Sequence, residues 1–222
     1  MIMRKALLSL VAAALLAPAA GAFAADGDVR LPEPEKSGGM SVLEAIANRR
    51  SVRDFADEAV TPQQLSTLLW ATAGVNREDG KLTYATAMNS QDIIVFVFTR
   101  EGVYRYEPKE HSLTLIEKGD HRAATGKQDF VARAAVDLVF VQDTERWKST
   151  PAWGKITDAA ISECGFAHIG SMTQSAYLYA AAQGWGARTR MSFDQAALSK
   201  LLKLTPTQSP KLMQCIGPKP QG

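Results

Sequence analysis

The chain has 222 residues, 25 of them Lys or Arg and 23 Asp or Glu, and 46% are hydrophobic. Two of the positive charges, Arg4 and Lys5, fall in an N-terminal segment expected to be removed, so the remainder is balanced, with its basic residues dispersed. That charge pattern leaves no footprint for a nucleic acid or an anionic membrane surface.

Arg4 and Lys5, the apolar run from Ala6 to Leu16 and Ala22-Phe23-Ala24 have the layout of a secretory signal peptide, residues 1–24, with cleavage near Ala24 and a periplasmic or secreted product. The apolar run is shorter than the roughly 20 residues that span a bilayer, so stable membrane insertion is not expected. Residues 25–40, with Pro32, Pro34 and Gly38-Gly39, read as an extended lead-in to a single domain over 41–222, a length able to bury most of its apolar surface.

Ser41-Val42-Leu43-Glu44 is a capping box, and Val42, Leu43 and Ile46 put an apolar face on a helix running to about Asn48. A basic cluster, Arg49-Arg50-Ser51-Val52-Arg53, follows at its end. Thr61-Pro62-Gln63-Gln64 opens a second helix, which Gly74 stops, and 75–87 is a loop. Ile93 to Thr99 is a continuous apolar, β-branched run, the signature of a buried strand at the centre of a sheet. Residues 103–106 and 112–117 alternate around Pro108 and predict an exposed hairpin appended to the core. A short helix over 128–134 leads into a strand at 136–141. From Thr157 to Gln183 the chain is helix-like, although Gly165 and Gly170 each cost roughly 1 kcal/mol against Ala. A strand at 187–191, a helix capped by Ser192 to Gln195 and a last strand at 212–216 complete an α+β arrangement with no βαβ repeat.

Candidate chemistry is sparse. His111, His121 and His168 have no metal-ligand spacing with Cys164 or Cys215, so no metal is expected, and two buried thiols are favoured over a disulfide. His168, in an apolar helix, reads as a satisfied core or interface histidine, and Trp70, Trp153 and Trp185 read as packing anchors. No nucleophile elbow, P-loop or dinucleotide glycine fingerprint is present. Locally, Arg49, Arg50 and Arg53 with the Ser51 hydroxyl license an anion site, or simply basic residues favouring a helix C-terminus.

Taken in order, Arg49-Arg50-Ser51-Val52-Arg53-Asp54-Phe55, Leu68 to Asn76, Asn89-Ser90-Gln91 before a strand, and Tyr177 to Gly186 resemble the signatures of the FMN-dependent nitroreductase family over about Ser41 to Pro220. Gly102 to Tyr106, His111, Gly119-Asp120 and Gln128 resemble most the branch of azoline-oxidising, azole-forming dehydrogenases. The resemblance implies a nitroreductase-like fold with a central, mostly antiparallel sheet flanked by helices, and an intertwined homodimer with flavin at its interface. It implies an oxidoreductase passing hydride and electrons through flavin N5 in a ping-pong cycle, with no side-chain catalyst and a small-molecule or peptide substrate. By the same resemblance, Arg49, Arg50, Ser51 and Arg53 hold the phosphate, ribityl and pyrimidine portions of FMN. Thr86, Ala87, Met88 and Asn89 reach it from the other subunit, and Arg190-Met191-Ser192 turns a backbone N–H toward N5. Lys219 adds to the phosphate site and Gln128 to the pyrimidine edge. The stretch Leu82 to Ala87 lacks the arginine and proline common in that family loop, which keeps open a flavin-free scaffold on the same fold. A subunit active only in a complex is a further alternative.

Overall fold

A computed structural model describes residues 27–220. The expected signal segment and the first two residues of the lead-in lie outside the described residues. Four α-helices and seven strands are placed: β1 (Val29–Arg30), α1 (Val42–Asn48), α2 (Pro62–Ala73), β2 (Ile93–Phe98), β3 (Gly102–Glu107), β4 (Ser112–Lys118), β5 (Val136–Asp143), α3 (Asp158–Ala182), β6 (Gly186–Arg190), α4 (Gln195–Leu201) and β7 (Gln208–Gly217). They form one sheet of order β1-β4-β3-β2-β5-β7-β6 in which every strand pairing is antiparallel. The fold is nitroreductase-like α+β.

Strand β2 is apolar throughout because both faces of the sheet are covered. Ile93, Val95 and Val97 pack with Leu65, Leu68 and Leu69 of α2 and with Ile169, Met172 and Ala176 of α3. Ile94, Phe96 and Phe98 point the other way, toward Leu198 of α4 and Leu202 just after it. The period-two alternation therefore feeds two cores instead of one core and solvent. Both predicted capping boxes form. Ser41 and Glu44 exchange side-chain and backbone bonds at 3.3 and 3.0 Å, and Thr61 and Gln64 do so at 3.2 and 2.8 Å.

Four expectations are corrected. The hairpin β3–β4 is not an exposed appendage: Val103, Tyr104, Tyr106 and Leu113 are buried, because β3 pairs with β2 and the lead-in covers the hairpin as β1. Residues 128–134 make only a 3₁₀ turn, Val131–Arg133. Trp153 is 45% exposed with Lys148 over its ring, whereas Trp147 is the fully buried indole. Cys164 is half-buried and only Cys215 is buried, both as free thiols.

Helix α3 runs unbroken for 25 residues. Gly165 is there because the Gln142 amide lies against it, so close that an added Cβ would sit 2.4 Å from that group. The lead-in is latched by His111. Ser66 Oγ donates to the Pro32 carbonyl at 2.5 Å, so the 2.7 Å bond between Ser66 Oγ and His111 Nε2 is donated by the imidazole, and Tyr106 OH donates to Nδ1 at 2.9 Å. Among the described residues no helix is long and apolar enough to cross a membrane, and no group of His, Cys, Asp or Glu is placed to hold a metal ion.

Candidate functional site

The basic cluster begins where α1 stops. Arg49 leaves helical geometry at φ −55°, ψ 124°, and the chain turns onto the free edge of β6. Ser51 forms a parallel bridge with Ala187, and Val52 N–H donates to the Ala187 carbonyl at 3.1 Å. Gly186 permits this approach: a Cβ there would fall 2.0 Å from Val52 Cγ2. Four residues on, Ala56 N–H donates to the Pro218 carbonyl at 2.9 Å, which seats the Gly217-Pro218-Lys219 terminus beside the same segment.

Tyr177 of α3 stitches the cluster to the strand. Its hydroxyl accepts Thr189 N–H at 2.9 Å and shares a 3.2 Å hydrogen bond with Ser51 Oγ, while the Arg49 guanidinium lies 5.3 Å from its ring centroid. Arg50 turns back to the Ala47 and Arg49 carbonyls at 2.7 and 2.9 Å, satisfying the end of α1. The nearby carboxylates are engaged elsewhere, Asp54 by Arg133 and Asp57 by Arg100. Among the described residues no carboxylate pairs with Arg49, Arg50, Arg53 or Lys219. A cation, Arg49, beside the exposed Ser51 hydroxyl, with Arg50, Arg53 and Lys219 in the adjoining segments, would suit an oxyanion of high charge.

The turn Arg190-Met191-Ser192 presents backbone, not a cationic side chain. Met191 is 62% exposed, whereas Arg190 is buried and its guanidinium points inward to Met213 Sδ at 2.9 Å, the Thr125 carbonyl at 3.3 Å and Gln128 Oε1. The guanidinium also lies over the Phe130 ring at 5.2 Å. Gln128 thus stands beside the turn, held by Arg190. Under it Asp137 faces Cys215 across β5 and β7. Burial pushes the Asp137 carboxyl up to about 7, against the downward pull of bonds from Cys215 and Thr125 and the charges of Arg190 and Arg122. Burial, reinforced by Asp137, raises the Cys215 thiol far above its ordinary range.

Thr86, Ala87, Met88 and Asn89 form a tight turn, with a 3₁₀ segment at Ala87–Asn89. Met88, Asn89 and Gln91 all take left-handed φ, at 54°, 54° and 45°. The turn leans on His168 of α3 through Ala87 N–H and on the buried Asp92 just after it. Burial alone would raise the Asp92 carboxyl, but hydrogen bonds from His168, Gln142 and Trp147 outweigh it and hold the group below the ordinary carboxylate value.

One chain does not unite this turn with the basic cluster. The turn docks at His168 and the cluster at Tyr177, nine residues along α3, which is about 13 Å and half a revolution at 1.5 Å and 100° per residue. The two therefore lie on opposite flanks of the helix. Sequence reasoning missed Tyr177, Asp92, Gln142 and Trp147 as parts of this arrangement. The one available signal was Asp92, a carboxylate immediately before a wholly apolar strand, which demands partners.

Fold and edge together define an α+β protein whose basic segment, Arg49 to Arg53, runs beside the β6 edge of an antiparallel sheet. The nitroreductase family model matches residues 46–218. A Ralstonia eutropha JMP134 protein named as a nitroreductase, whose crystal structure is known, is 35% identical, with 89% of this chain and 92% of that chain covered and a TM-score of 0.81. A curated Methanocaldococcus jannaschii protein named as a nitroreductase is 28% identical over 206 residues, covering 86% of this chain and 96% of its own. The NADPH:FMN oxidoreductase of Vibrio harveyi shares the fold at 22% identity and a TM-score of 0.60, over 81% of this chain and 69% of that one. The chain belongs to the nitroreductase family.

Proposed function

We propose that the protein is an exported, FMN-dependent oxidoreductase working as a homodimer, with the flavin at the subunit interface. The observation that supports this reading is that the basic segment Arg49 to Arg53 runs beside β6, whose end turns at Arg190 to Ser192, and bonds through Ala56 to Pro218 next to Lys219, while among the described residues no carboxylate pairs with Arg49, Arg50, Arg53 or Lys219. The donor set fits FMN. The arginine forks and Lys219 suit its phosphate, Ser51 suits the ribityl chain, and the exposed backbone of 190–192 suits the ring edge. Bound there, FMN would supply a two-electron redox centre that serves an electron donor and an acceptor in turn, the ping-pong pattern.

The chain's own task is to bind and orient. Tyr177 fixes Ser51 and the Arg49 guanidinium, and Arg190 and Gln128 hold the 190–192 turn rigid from below. Two features favour a second copy as partner. Val42, Leu43 and Ile46 of α1 are 66, 78 and 51% exposed, and α3 exposes a stripe of Ala167, Gly170, Ser171 and Gln174 narrow enough for close helix approach. The resemblance over Gly102 to Tyr106, His111, Gly119-Asp120 and Gln128 favours a dehydrogenase of the azoline-oxidising branch, with a peptide or small-molecule substrate. An alternative is a flavin-free binding or scaffold protein, motivated by the 82–87 stretch without arginine or proline. Reconstitution with FMN decides: quenched flavin fluorescence and a retained yellow band on gel filtration support the enzyme, and a colourless protein after saturation with FMN overturns it.

A further inference from the structure

Both ends of the 87–90 turn are tied to one buried carboxylate oxygen. Asp92 Oδ1 accepts from Ser90 Oγ at 3.3 Å and from His168 Nδ1 at 2.7 Å, and the other imidazole nitrogen, Nε2, accepts Ala87 N–H at 2.8 Å. A backbone amide only donates, so Nε2 carries no proton and the ring is the neutral Nδ1–H tautomer. The imidazole is thus a relay with one donor and one acceptor, both used.

The carboxylate end of the relay is rigid. Asp92 is fully buried, and its Oδ2 accepts from Gln142 Nε2 at 2.7 Å and Trp147 Nε1 at 2.9 Å; Gln142 also donates to the Ile161 carbonyl at 2.8 Å. These groups come from β5, the turn after it and α3, so the anchor belongs to the core. The turn end is the opposite: exposed Met88 and Asn89 hold left-handed backbone that non-glycine residues disfavour. Bonds from Gln91 N–H to Thr86 Oγ1 at 3.2 Å and from Arg146 to the Gln91 carbonyl at 2.6 Å secure only the far side. Ala87 N–H has His168 as its partner on the near side.

We infer that His168 is a positioning residue for the flavin-facing turn: from α3, beside the buried Asp92 cluster, it presents Nε2 to Ala87 N–H and so sets where Thr86 to Asn89 meets FMN across the dimer. The inference rests on the FMN reading above. A purely structural histidine, needed only to satisfy Asp92, would matter through Nδ1. A positioning histidine matters through Nε2.

Two substitutions separate these roles, since an asparagine amide occupies the place of Nδ1 and a glutamine amide that of Nε2. His168→Asn keeps the donor to Asp92 and loses the acceptor for Ala87; His168→Gln keeps the acceptor. Amide hydrogen exchange of the segment 84–92 in the purified full chain should stay within about threefold of wild type in His168→Gln and accelerate about tenfold in His168→Asn, the span of one net hydrogen bond. FMN dissociation constants from fluorescence titration should follow the same order. Equal exchange in both variants, or slower exchange in His168→Asn, overturns the inference. So does the expected exchange order with one FMN affinity for all three proteins. A wild type that binds no FMN overturns the flavin reading, and the exchange order then still reports the anchor separately.

Discussion

Replacing Arg49 by alanine isolates the phosphate contact from the fold. Its guanidinium has no carboxylate partner among the described residues and lies over the face of Tyr177 at 5.3 Å. Such a half-exposed cation–π contact is worth about 0.5–1 kcal/mol. Hence Arg49→Ala should shift Tm by only a few degrees, since 1 kcal/mol moves a domain of this size by about 2–4 °C. A charge-assisted bond to phosphate is worth about 1.5–3 kcal/mol, which is about 10- to 150-fold in the dissociation constant. The assay is quenching of FMN fluorescence at low ionic strength, repeated in salt, where the loss should shrink as screening removes part of the wild-type advantage. Riboflavin, without the phosphate, should bind wild type and variant alike. An unchanged FMN affinity, or an equal loss for riboflavin, would refute the assignment of Arg49 to the phosphate.

Three further outcomes are expected. A Cβ on Gly170 meets nothing within 4 Å, so Gly170→Trp should leave the monomer folded yet convert the dimer to monomer in light scattering and abolish FMN binding; a dimer that persists rejects α3 as the interface. Gly165→Ala pushes a methyl into the Gln142 amide at 2.4 Å and, at about 1–3 kcal/mol for overpacking, should lower Tm by about 2–12 °C in calorimetry. Asp137, raised to about 7 in the folded state, releases its proton in the unfolded chain near pH 4. The stability tied to its neutral form is complete below that pH and is lost as pH rises to about 7. Asp137→Asn should therefore flatten the fall in Tm between about pH 4 and 7, and an unaltered Tm profile would show that the carboxyl is ionised in the folded protein.

Local signals in the sequence located most elements. The capping boxes at Ser41 and Thr61, the apolar run of β2 and the stop at Gly74 depend on neighbours within a few residues, and all four appear where the spacing puts them. The hairpin β3–β4 was misjudged because its alternation looks the same whether the outer face meets water or a lead-in strand, and β1 is only two residues long. The basic cluster was legible as a set of charges. Its docking on β6 was not, because Val52 meets Gly186 across more than a hundred residues through a glycine chosen for its missing side chain. His168 looks bland in a helix of alanines, and only the tertiary fold brings it to Asp92, 76 residues earlier, and to the amide of Ala87. The arrangement of Arg190 with Gln128 and Thr125 was equally hidden, since these partners lie 62 and 65 residues earlier in the chain.

Mixed dimers test the central claim, a flavin site shared by two copies, most directly. Arg49→Ala disables the basic edge and Asn89→Ala the reaching turn, so each variant alone should bind FMN weakly at both of its sites. In a twofold dimer carrying one copy of each, one site receives both defects and the other receives neither. After subunit exchange in an equimolar mixture, half of the dimers are mixed and about a quarter of all sites should titrate FMN with wild-type affinity. A mixture that binds no better than the separate variants would contradict a site shared between subunits.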